Sequence, residues 1–146
     1  MKKSILVLAI LFLITGVNAQ NKKYVAGMKK ALAAMDSVKK TEDYQGVANQ
    51  FERIAGAEKK EWLPYYYAAN CYVILAYEAA ADKIDALCDK AESFLKKADS
   101  LSPNNSENYV LKAMIASARI SVDPMKRGMQ YSIESGTALE KALSLN

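Results

Sequence analysis

The sequence predicts an all-α protein, a solenoid of three helical hairpins, and three observations predict it. First, a seven-residue phrase recurs at a fixed interval of 44: Phe51-Glu-Arg-Ile-Ala-Gly-Ala57, Leu95-Lys-Lys-Ala-Asp-Ser-Leu101 and Leu139-Glu-Lys-Ala-Leu-Ser-Leu145. Tyr65 and Tyr109 share that spacing, as do Ala69 and Ala113. A period between about 20 and 50 marks units that bury their apolar faces only by stacking on neighbours. Second, 146 residues hold only 6 Gly and 3 Pro, so few points break a helix. Third, apolar side chains recur at helical spacing through every long segment.

Six helices are expected. Before them, Lys2 and Lys3 precede an apolar run from Ile5 to Ile14, and Val17-Asn18-Ala19 offers small residues for cleavage. The run suits a signal-peptide core and is short for a membrane span. Residues 1–19 are therefore expected to be a signal peptide, and 20–146 the repeat domain of a periplasmic or secreted protein. Helix one is expected over 23–39, with Val25, Met28, Leu32, Met35 and Val38 on one stripe. Thr41 is the expected cap of helix two (42–57), which carries Tyr44, Val47, Phe51 and Ile54 on one face. Helix three is placed over 62–81 with Pro64 in its first turn, where a missing N–H costs nothing. Asp82 is the expected cap of helix four (83–101). Ser102-Pro103-Asn104-Asn105 is a break, Ser106 the expected cap of helix five (107–121), and Asp123-Pro124 a cap and first-turn proline for helix six, which runs to about residue 143.

On these residues the chain resembles the tetratricopeptide repeat. Tyr65, Ala68, Ala69 and Tyr72 match the spacing of that motif's first helix. Ala91, Leu95, Ala98 and Pro103 match its second. The usual repeat is about 34 residues, and a longer period also suits HEAT and armadillo repeats. The resemblance implies a right-handed α-solenoid with a concave face. It implies that Tyr66 and Asn70, continued by Val73 and Tyr77 and by Val110 and Met114 on helix five, line a groove for a peptide segment. The expected role is a non-enzymatic protein–protein interaction scaffold, with a protein or peptide partner. Two alternatives stand beside it: an exported carbohydrate-processing enzyme using pairs such as Asp82 with Asp85 or Asp85 with Asp89, and a self-associating module.

Composition narrows the chemistry. The chain has no His, which removes the commonest general base and zinc ligand. No phosphate-cradling glycine phrase and no esterase elbow occurs. No catalytic residue, cofactor or metal is expected. Without Lys2 and Lys3 there are 18 basic and 16 acidic side chains, a near-neutral balance that does not point to nucleic acid. Cys71 and Cys88 are read as buried free thiols, because their helical positions differ axially by roughly 7 Å at 1.5 Å per residue.

Overall fold

A computed structural model describes residues 22–145; the expected signal peptide lies outside them. The described residues are all-helical, as expected. Six helices follow one another: α1 over 22–36, α2 Tyr44–Ala57, α3 Trp62–Tyr77, α4 Ala81–Leu101, α5 Ser106–Ile120 and α6 Pro124–Leu143. A short 3-10 turn, Thr41–Asp43, leads into α2. Helices adjacent in sequence pack on one another, most extensively α3 with α4 and α5 with α6, and α3 also touches α5.

Several helix ends differ from expectation. Thr41 enters the 3-10 turn instead of capping α2. Helix α3 stops at Tyr77, and α4 begins at Ala81 without a side-chain cap, leaving Asp82 in its first turn, where a carboxylate suits the helix dipole. The cap of α5 is Asn105, whose side chain accepts from the Glu107 N–H at 3.0 Å, displacing Ser106 by one position. Asn104 before it has φ 57°, a left-handed conformation that Asn tolerates better than most side chains. Asp123 does cap α6, accepting from the Lys126 N–H at 3.1 Å, with Pro124 at the helix start.

Some positions aligned by the 44-residue spacing share their burial. Ala69 and Ala113 are both buried, and so are Phe51 and Leu95. The aligned basic positions Arg53, Lys97 and Lys141 are all exposed. The core is centred on α3, where Ala68, Ala69, Cys71, Tyr72, Val73 and Ala76 are fully buried. Tyr72 joins three helices. Its ring stacks on Phe94 of α4 at 6.1 Å, its hydroxyl donates to Glu52 of α2 at 2.6 Å, and it accepts from Gln45 at 3.0 Å. Phe51 stacks on Tyr67 at 5.1 Å and locks α2 to α3. Both cysteines are free and buried.

Candidate functional site

Helices α3 and α5 bring most of the expected groove residues to one seam, but the seam is not a peptide groove. The Tyr66 hydroxyl donates to Glu107 at 3.1 Å, and the Tyr77 hydroxyl to the Met114 carbonyl at 3.0 Å. Both phenols expected to meet a guest therefore already tie α3 to α5. Burial, then the Glu107 carboxylate, pushes Tyr66 up to about 12, so it stays a neutral donor. Trp62 sits edge-on to Tyr66 at 5.7 Å, and Tyr66 edge-on to Tyr67 at 5.3 Å. Val73 is fully buried and lines no surface. Asn70, Val110 and Met114 are half-buried, and Tyr77 is exposed.

The paired carboxylates of α4 are also engaged. Arg119 of α5 is buried and reaches Asp85 at 3.1 Å, Asp89 at 2.7 Å and Glu92 at 3.1 Å. Arg127 of α6 makes a two-pronged contact with Asp85, at 2.7 and 2.9 Å. The Arg127 hydrogen bonds, and after them Arg119, hold the Asp85 carboxyl below the ordinary carboxylate range. A carboxylate held ionised by two guanidiniums cannot act as a general acid near neutral pH. This cluster clamps α4 to α5 and α6, and the glycosidase alternative has no support in it. Among the described residues no group of three or more His, Cys, Asp or Glu is placed to hold a metal ion.

Among the described residues three surface clefts stand out, none of them lined by the expected groove residues. One of about 400 Å³ lies between α5 and α6, lined by Tyr109, Lys112, Glu134, Thr137, Ala138 and Lys141. A second of about 520 Å³ lies on α2 over Gly46, Asn49, Glu52 and Arg53. The third, of about 360 Å³, opens between α1 and α2. Tyr24, Gly27, Ile54 and Ala57 line it, with Lys23, Lys30, Arg53, Gln50 and Glu58 around them. Gly27 makes room there: a Cβ at that position would touch Ile54 at 3.6 Å. On α1, Lys23, Gly27 and Lys30 recur at spacings of four and three; on α2, Gln50, Ile54 and Ala57 do the same, so two helical stripes face each other. Burial, followed by Glu61 and Glu58, raises the Tyr24 phenol, which stays protonated. The sequence reading did not single out this cleft. The available signal was the Gly inside an otherwise helical stripe.

No family model and no curated protein matches the chain. A solved structure does: the HusA haemophore from Porphyromonas gingivalis is 41% identical over 84% of this chain, with a TM-score of 0.77. The chain spans 60% of that protein's length. This likeness corrects the expected role and partner. The similar protein carries a small prosthetic molecule, as its name states, whereas a peptide-binding scaffold was expected. The tied hydroxyls of Tyr66 and Tyr77 and the buried Val73 give the physical reason the peptide groove fails. Periplasmic or extracellular location accords with this likeness, and no described helix is long and apolar enough to cross a membrane.

Proposed function

We propose that this protein is an exported haem-binding carrier, acting as a carrier and not as a catalyst. The observation that carries the reading is the combination of 41% identity and a TM-score of 0.77 to a haemophore over most of the chain. Residues 1–19 would direct export and be removed, leaving 20–146 as a right-handed, tetratricopeptide-like solenoid.

The composition sets how haem would be held. With no His, the commonest protein ligand to haem iron is missing. Apolar and aromatic surface suits the macrocycle, and cations and phenols suit its two propionates. Two surfaces supply such groups. The α3–α5 face, with Tyr66, Asn70, Tyr77, Val110 and Met114, offers aromatic area. The α1–α2 cleft offers apolar lining together with three cations.

Titration of the purified mature chain with haemin, followed in the Soret region, tests the reading. The expected result is saturable binding of one equivalent, with a shifted band. A titration indistinguishable from haemin added to buffer would discard it.

A further inference from the structure

The α1–α2 cleft is built differently from the other two clefts described above. Its lining combines a ring (Tyr24), a branched aliphatic (Ile54) and a glycine gap (Gly27) with Lys23, Lys30 and Arg53. None of those three cations is ion-paired among the described residues. By contrast, the buried Arg119 is fully committed to carboxylates. The equivalent cleft one end of the molecule away repeats part of the pattern, since Lys112, Ala138 and Lys141 stand 88 residues beyond Tyr24, Gln50 and Arg53. That copy has two cations and an acid, Glu134, where the first has three and Glu58. Of the two related openings, the one between α1 and α2 has more cations in its lining, three beside Glu58 with Glu61 also near Tyr24, and it contains Gly27.

Resting on the haem reading above, we propose that the α1–α2 cleft seats the propionate edge of haem. Lys30 and Arg53 reach the carboxylates from opposite walls, and Lys23 stands one turn pair along α1. Tyr24, protonated at neutral pH, donates to a propionate oxygen and lays its ring against the adjoining pyrrole, with Ile54 as the facing wall. A cleft of about 360 Å³ is at the small end for a ligand pocket, so it takes one edge of the macrocycle and leaves the rest outside. Arg favours planar, two-pronged carboxylate contacts, and Lys adds a point charge.

The test compares haemin with haemin dimethyl ester, whose propionates carry no charge. The wild-type chain is titrated beside Lys30→Glu/Arg53→Glu and beside Lys112→Glu/Lys141→Glu, the same charge change in the α5–α6 cleft. The charged residues are exposed, so folding is retained and circular dichroism verifies it. The expected result is a loss of about tenfold or more in haemin affinity for the charge variant, near the scale of one charge-assisted contact. That variant should no longer prefer haemin over its ester, and the Lys112→Glu/Lys141→Glu variant should match wild type. Wild-type affinity in the charge variant, or equal wild-type affinity for haemin and ester, overturns the cleft while leaving the haem reading standing. No haemin binding by the wild-type chain removes both.

Discussion

Helices α4 and α6 stand one period apart and carry the same phrase, yet their outer faces have opposite chemistry. On α4, positions 85, 89 and 92 are Asp, Asp and Glu, and they hold Arg119. One period later, positions 129, 133 and 136 are Met, Ile and Gly, and Met129 is 82% exposed. Met125 at 96% and Leu143 at 74% extend that apolar face. Inward positions diverge too: Leu95 is 7% exposed, whereas its equivalent Leu139 is 44% exposed. The α5 helix lies against α4, and of helices α2 to α5 only α5 packs extensively on α6. Alignment in sequence therefore does not by itself decide burial. What aligned residues contribute depends on whether something is packed against them.

Truncating the aligned leucines turns this contrast into numbers. Leu95→Ala should cost about 2–5 kcal/mol, the range for emptying a packed core site. Leu139→Ala should cost well under about 1.5 kcal/mol, because much of that side chain is already in water. Chemical denaturation of the two variants gives both values. Equal costs would mean that α6 is covered in solution by something outside the described residues.

The same difference separates what the sequence made legible from what it did not. The period, the alanine spacing and the proline turns located all six helices, because those signals act within a few residues. The burial of Ala69 with Ala113, and of Ala98 with Ala142, followed from the alignment. The site was less legible. Tyr66 and Tyr77 were read as free because helical spacing gives a direction but not a partner. Their acceptors, Glu107 and the Met114 carbonyl, lie 41 and 37 residues away. The α1–α2 cleft needs two helices crossing at Gly27 and Ile54, which no local pattern encodes. The exposed face of α6 is illegible for the opposite reason, since Met, Ile and Leu at helical spacing ordinarily mark a buried stripe.

Alkaline pH sharpens the comparison from the buried side. Burial pushes the Cys71 thiol up to about 12 and the Cys88 thiol up to about 11, against an ordinary value of 9.0. In both cases the folded value lies above the unfolded one. Their contribution to stability is therefore complete below pH 9 and is lost as pH rises from 9 toward 11–12. Tyr66, also raised, adds to the loss above pH 10. Thermal melts at pH 7, 9 and 10.5 should show a progressive fall, shallower in Cys71→Ala/Cys88→Ala relative to that variant at pH 7. An equally steep fall in the double variant would assign the loss to other groups.

The smallest expected effect reads the bare side of α6 directly. Gly128 and Gly136 have ordinary negative φ, and a Cβ at either would meet nothing within 4 Å. Neither turn geometry nor internal packing therefore requires glycine there. Replacing each by Ala removes backbone freedom from the unfolded chain and should stabilise by up to about 1 kcal/mol, raising Tm by a few degrees. Gly27→Ala is the internal control, because its Cβ lands 3.6 Å from Ile54, an ordinary contact at a helix crossing. Should Gly136→Ala destabilise while Gly27→Ala does not, a close neighbour must sit on α6 in solution, and the contrast between α4 and α6 would be one of occupants instead of one of sequence.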